Sequence, residues 1–494
     1  MISPPERIAE DSLGKVKVPA RAFWGPETQR AVDNFPVSGL RFPREFIRAL
    51  GMVKMAAAEA NRKLGLLPRR EGEAIEKAAR DVMLGKLDDH FPVDIFQTGS
   101  GTSTHMNANE VIAFCASRLL GGKRKIHPND QVNLCQSSND VIPSCLHIAA
   151  AEGIKNRLLP ALGDLETVLR KKEREFDGIL KTGRTHLQDA TPIRLGQEFG
   201  GYAGMIRHGR KRVQSALPDL LELALGGTAV GTGVNAHPRF AELAIRRIRQ
   251  LTGLPFREAE NHFEAQGARD AVVQAGSALK TLSAGLIKIA NDLRWLSSGP
   301  RGGIAEIRLP ELQPGSSIMP GKINPVIPET LIQVCARVIG NDAVITLSGL
   351  SGNFELNVMM PVMAHSLLES ITILTNGVSL FSGKCIREIT ADRERCRELV
   401  EKSLALATAL SPKIGYAAAA KIAREAAASG KTIREVALAR GAFSEKELAA
   451  LLDPWKMTGS PAKLNNPVKS PKKADSKAFR RENGRDSRIA ISKK

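Results

Sequence analysis

Aromatic residues make up only 4% of this 494-residue chain, too few for the Tyr-, Trp- and β-branched pairs that build β-sandwich cores; abundant Ala and Leu favour packed helices instead. Cysteine is also sparse. Cys115, Cys135, Cys145, Cys335, Cys385 and Cys396 are scattered, with no CxxC pair and no finger spacing. That pattern implies neither a disulfide framework nor a structural zinc site, and points to buried thiols in a reducing cytoplasm. The first residues lack the apolar core of a signal peptide, and no run of about 18 apolar residues is evident, so neither export by that route nor a membrane span is expected. There is no Walker loop, no GxGxxG after a strand and no HExxH. Nucleotide hydrolysis, dinucleotide redox chemistry and zinc hydrolysis therefore lack support.

What is present is an ordinary globular composition, 43% apolar and 25% charged, on a chain too long for one small core. The formal charge is +19, which suggests an anionic partner. From Lys456 to Lys494, however, twelve Lys/Arg face three Asp/Glu, so about half the excess sits in one short segment. Rich in Lys, Pro, Ser and Asn, residues 458–494 read as a disordered basic tail, with weak polyanion binding as its expected capacity.

The strongest periodicity joins Val272, Ala275, Leu279, Leu282, Leu286, Ile289, Leu293 and Leu296. Steps of three and four place them on one face of a helix of about seven turns, which needs partner helices. Gly299-Pro300 follows as a stop signal. Further helical patterns cover 148–176, 328–348 with an interruption at Gly340, and 358–380. Their length and low polarity predict burial between subunits. Residues 1–137 are richer in turns and short elements. The expected division is an N-terminal domain over 1–137, a central helical bundle over 138–393, a small helical domain over 394–457 and the tail.

Gly, Ser, Thr and Asn gather in four islands: Gln97–Thr102; His127-Pro128-Asn129-Asp130 with Gln136–Asp140; Gly183–His186; and Gly315–Asn324. Short hydroxyl and amide side chains on glycine-containing turns are the equipment for holding a carboxylate or phosphate, although any one island is equally an ordinary turn. Gly315–Asn324 is either a flexible surface loop or a mobile lid, in which Lys322 supplies charge and Asn324 a hydrogen bond. His186 is either a hydrogen-bonded structural histidine or an acid/base that needs an orienting carboxylate. Glu329 could be that orienter, or simply a first-turn acid favoured by the helix dipole.

In these islands the chain resembles the fumarase/aspartase superfamily from about Arg7 to Lys456, and the run GSSIMPGKIN is that superfamily's signature. Within it, Trp24, Thr28-Gln29-Arg30, His127–Asp130, Ser137–Asp140, Leu225–Gly233, Trp295 and Gly352–Asn357 are similar to the iron-free, homotetrameric fumarate hydratases. Val326–Glu329 and Leu309–Gln313 look more like the aspartate ammonia-lyases, and His105 stands where both enzyme types have Asn.

The resemblance implies a mainly α, three-domain fold around a central bundle of long helices, with the tetramer core built from the bundles and each active site shared between three subunits. It implies reversible hydration of fumarate to malate through an aci-carboxylate, a step of the tricarboxylic acid cycle, with aspartate deamination as the alternative. By carry-over Ser316 is the base, and His186 with Glu329 the partner acid/base. Ser100, Gly101, Thr102, Ser137, Ser138, Asn139, Thr185, Ser317, Lys322, Ile323 and Asn324 hold the substrate. His127, Pro128, Asn129 and Asp130 correspond to a second dicarboxylate site. No metal or organic cofactor is expected. A fold recruited as a non-catalytic scaffold would be expected to lack Ser316, His186 or Lys322, and all three are present.

Overall fold

The apolar stripe lies inside one 27-residue helix, Asp270–Leu296, and its eight residues are all buried. They are buried because neighbours supply matching faces. Asp270–Leu296 packs on Leu195–Ser215 and on Val326–Gly349, the latter packs on Met360–Lys384, and Met360–Lys384 meets Leu159–Glu175, which returns to Leu195–Ser215. This closed ring of long helices is the mainly α bundle the sequence predicts. The computed structural model describes residues 5–122 and 124–459.

Val326–Gly349 runs unbroken through Gly340, where the pattern suggests an interruption; packing along the helix outweighs the roughly 1 kcal/mol that a helical glycine costs. Among the described residues this helix is, by length and composition only, long and apolar enough to cross a membrane, with mean hydropathy 1.3, although Glu329, Arg337, Asn341 and Asp342 interrupt its apolar residues. Its buried face nonetheless carries polar locks. Asn341 donates to Ser370 Oγ at 3.0 Å and to Glu369 at 2.7 Å, and Asp342 pairs with Lys280.

The first 137 residues hold more helix than expected: Arg44–Lys63, Arg69–Met83 and Thr102–Leu119. Arg44–Lys63 carries a stripe of Phe46, Leu50, Val53, Ala57 and Ala60, and packs against three elements, Arg69–Met83, Ser138–Gly153 and Phe240–Thr252. One apolar cluster runs from Phe42 to Cys396 and crosses the expected 137/138 boundary without a break.

By internal contacts the chain forms two compact units. The first reaches to Ile179 and resumes over Leu195–Cys396; the second comprises Leu180–Arg194 and the described residues from Arg397 on. The second has its own core, around Leu406, Leu410, Ile422, Val436 and Leu448. Its antiparallel hairpin, Leu180–Thr185 with Gln188–Arg194, falls within the range expected for the central bundle. The basic tail lies outside the described residues apart from Thr458 and Gly459. Thr458 departs from that expectation, being buried and accepting from Arg194 Nη1 at 3.0 Å.

Candidate active site

Two helix N-termini form the centre of the first unit's polar cluster. The turn Gln97–Thr102 feeds the helix Thr102–Leu119 and is held by Gln97, whose Oε1 accepts Thr104 N at 2.9 Å while its Nε2 donates to Asp94 O at 2.6 Å. A Cβ on Gly99 would stand 1.8 Å from Val358 O, so only glycine fits there. Gly101 caps the helix in the left-handed region, φ +75°. Between these glycines Ser100 Oγ and Thr102 Oγ1 share a hydrogen bond of 2.7 Å.

The second terminus belongs to Ser138–Gly153. Ser137 caps it: its Oγ accepts Asn139 N at 3.2 Å, and Asp140 Oδ1 accepts Ser137 N at 2.9 Å, a capping box. The other Asp140 oxygen accepts Gly226 N at 2.9 Å and Thr228 N at 3.1 Å, while Asn139 Nδ2 donates to Ala229 O at 2.7 Å. Burial pushes the Asp140 carboxyl up, and these N–H groups and Lys54 oppose it. The structure thus brings together the first island, the Gln136–Asp140 segment and the glycine-rich run over 225–233. Two positive helix ends side by side suit an anion.

Beneath them lies a residue that sequence reasoning missed. Lys54 is fully buried, with Nζ 2.6 Å from His105 Nε2, 2.9 Å from Gln136 Oε1 and 3.2 Å from Asn133 Oδ1. His105 Nδ1 in turn lies 2.8 Å from Ser138 Oγ. Burial brings the Lys54 amine down to about 7 and, with Lys54 beside it, holds the His105 imidazole well below its usual value. The available signal was a single lysine in the otherwise apolar run Leu50–Ala58.

Gly315–Asn324 is an exposed loop closed on itself: Gly315 N donates to Lys322 O at 2.8 Å and Asn324 Nδ2 to Gly315 O at 2.6 Å. It surrounds a hollow of about 420 Å³ lined only by residues from Glu311 to Ile323. Within it, Ser316 Oγ accepts Met319 N at 2.9 Å and Ile318 N at 3.2 Å. Ser317 and Lys322 are exposed, and Glu329 follows in the first turn of Val326–Gly349.

In the second unit, Thr185 and His186 are exposed at the hairpin tip. His186 (φ +55°) and Leu187 (φ +59°) are both left-handed between paired Thr185 and Gln188, a two-residue type I′ turn built without glycine. His127–Asp130 forms an exposed one-turn segment in which His127 Nδ1 lies 3.3 Å from Asp130 Oδ2, and Asn129 leans on Met106 at 3.8 Å.

Comparison with known proteins decides the family. A lyase family profile matches residues 14–340, and a fumarase C C-terminal profile matches 406–459. The class II fumarate hydratase of Halobacterium salinarum is 54% identical over 455 residues, covering 92% of this chain and 97% of that protein. The chain belongs to the class II fumarate hydratase family. The Nitrosomonas europaea member is 52% identical over 456 residues, covering 92% and 99%. Among solved structures, the class II fumarase of Schistosoma mansoni matches with TM-score 0.89 at 39% identity, covering 92% of this chain and 99% of that one. A fumarate lyase:delta crystallin of Brucella melitensis bound to cobalt matches with TM-score 0.87 at 45%, covering 92% and 100%. Membership in this family does not favour the aspartate ammonia-lyase alternative. Among the described residues no group of three or more His, Cys, Asp and Glu side chains is placed to hold a metal ion.

Proposed function

We propose that this protein catalyses the reversible hydration of fumarate to malate. The observation that carries the reading is the Ser316 turn, set in a chain about half identical to class II fumarate hydratases. Removing a C3 proton from malate drives charge into the adjacent carboxylate, and an aci-carboxylate is very unstable in water. A serine can take that proton only if its oxyanion is favoured. Two backbone N–H groups aimed at Ser316 Oγ supply such a bias, and closing the loop over substrate would strengthen it by expelling water.

In this scheme Lys322 and Asn324 stabilise the carboxylate as charge develops, while Ser100, Gly101, Thr102, Ser137, Ser138, Asn139, Thr185, Ser317 and Ile323 complete the cage. His186, oriented by Glu329, handles the proton on the water side of the reaction. His127, Pro128, Asn129 and Asp130 form the peripheral dicarboxylate site. The exposure of both the Ser316 loop and the His186 tip supports assembly as a tetramer in which three subunits contribute to each site. The six free thiols fit a cytoplasmic location.

The direct test offers purified protein fumarate with and without ammonium, following absorbance loss and product identity. Malate formed without ammonium supports the reading, whereas aspartate formed only with ammonium rejects it.

A further inference from the structure

We propose that Lys54 and His105 form a buried relay that holds the Ser138 hydroxyl as a hydrogen-bond donor toward a substrate carboxylate, which makes both of them positioning residues for dicarboxylate binding. This rests on the reading that Ser138 faces the substrate.

The polarity of the relay follows from its neighbours. Gln136 Nε2 donates to Val132 O at 3.1 Å and Leu134 O at 2.9 Å, and Asn133 Nδ2 donates to Gln136 O at 3.2 Å. Their amide oxygens are therefore the atoms that face Lys54. Lys54 Nζ thus meets three acceptors, Gln136 Oε1, Asn133 Oδ1 and His105 Nε2, one for each N–H of an ammonium. An imidazole accepting at Nε2 carries its proton on Nδ1, and that proton is donated to Ser138 Oγ at 2.8 Å. With its oxygen already accepting, Ser138 directs its own proton elsewhere, at the N-terminus of Ser138–Gly153 where an anion is favoured.

The same chain places a buried positive charge behind the site. Asp140 and Cys145 are the titratable groups on Ser138–Gly153 that act on Lys54, and His105 is the one on Thr102–Leu119. Since burial lowers the lysine to about 7, the relay holds its polarity below neutral pH and loses it as pH rises through 7. Once Lys54 is neutral, the imidazole can turn its donor toward the amine and take the Ser138 proton, withdrawing it from the substrate.

The test is a double-mutant cycle on the full-length protein, with succinate binding by calorimetry and fumarate kinetics as readouts. His105→Leu should weaken succinate about tenfold and raise KM in proportion, with kcat changed less than threefold. His105→Gln, whose amide can accept from Lys54 and donate to Ser138, should recover affinity to within about threefold of wild type. In a Ser138→Ala background, His105→Leu should have little further effect. If His105→Leu does not assemble, Lys54→Met enters the same cycle with the same expectation; wild-type succinate affinity should decline as pH rises through 7, and Lys54→Met should lack that decline. Full additivity of His105→Leu and Ser138→Ala, or an equal loss in His105→Gln and His105→Leu, overturns the relay while leaving Ser138 in the site. Unchanged succinate binding in Ser138→Ala overturns the placement of Ser138 and the relay with it, whether or not the wild type hydrates fumarate.

Discussion

The backbone N–H of Met319 donates to Ser316 Oγ across 2.9 Å, turning an unremarkable serine into one whose oxygen sits in the field of an amide dipole. Ile318 N adds a second donor at 3.2 Å. A serine hydroxyl titrates far above neutrality, so a serine base is credible only where such donors favour the oxyanion. The short turn Ser316-Ser317-Ile318-Met319 provides them without another element of the chain.

Ser316→Ala removes the group proposed to accept the C3 proton while leaving the carboxylate cage in place. Turnover should fall on the order of a hundredfold or more, with succinate affinity nearly unchanged. Lys322→Ala should weaken both, because its charge serves substrate and transition state alike. Steady-state kinetics with calorimetry separates the two patterns, and near wild-type turnover in Ser316→Ala would move the base to His186.

Gly99→Ala should cost both stability and binding. The new Cβ would stand 1.8 Å from Val358 O, so either the turn or the Val358 backbone must move, carrying Ser100 and Thr102 with it. A loss on the order of 2 kcal/mol or more, read as a lower thermal midpoint, is expected together with a raised KM. An unshifted midpoint would show that the contact is easily relieved.

Ile339, Leu347 and Leu350 are exposed at Val326–Gly349 and its end, as is Trp295 on Asp270–Leu296. Apolar residues left bare on two of the bundle's long helices predict a tetramer by light scattering at micromolar concentration. Leu347→Asp should dissociate it and abolish turnover together. An active, well-folded monomer refutes the shared site.

Lys54 makes stability depend on pH. Its folded value is near 7, against roughly 10.4 in an unfolded chain. Between these values the unfolded state binds a proton that the folded state does not, so stability rises with pH across the window, and the cost of burying the charge is greatest below it. The thermal midpoint of the wild type relative to Lys54→Met should therefore climb from pH 7 to pH 10. A constant difference contradicts a buried, titrating amine.

Removing residues 460–494 should leave turnover intact and lower retention on heparin at low salt, a difference that added salt erases by screening. Unchanged retention would argue against polyanion binding by this segment.

The helical bundle and the polar islands were legible in the sequence for a physical reason. Periodicity at three and four residues reports a single buried face, as in Asp270–Leu296, and turn chemistry concentrates Gly, Ser and Asn wherever a backbone must be presented to a ligand. Arg44–Lys63 went unread although Phe46, Leu50, Val53, Ala57 and Ala60 recur at steps of four and three; Met52, Met55, Ala56 and Ala58 off that stripe are buried as well, because several elements pack on the helix, and that only tertiary structure reveals. Lys54 was passed over because a lone lysine in an apolar run has no local partner. Its three acceptors come from Asn133, Gln136 and His105, far along the chain, and only packing brings them to one nitrogen. The sequence alone determined which polar residues are available for chemistry; the tertiary structure decided which of them meet, because hydrogen bonds between distant side chains exist only once the backbone between them has folded.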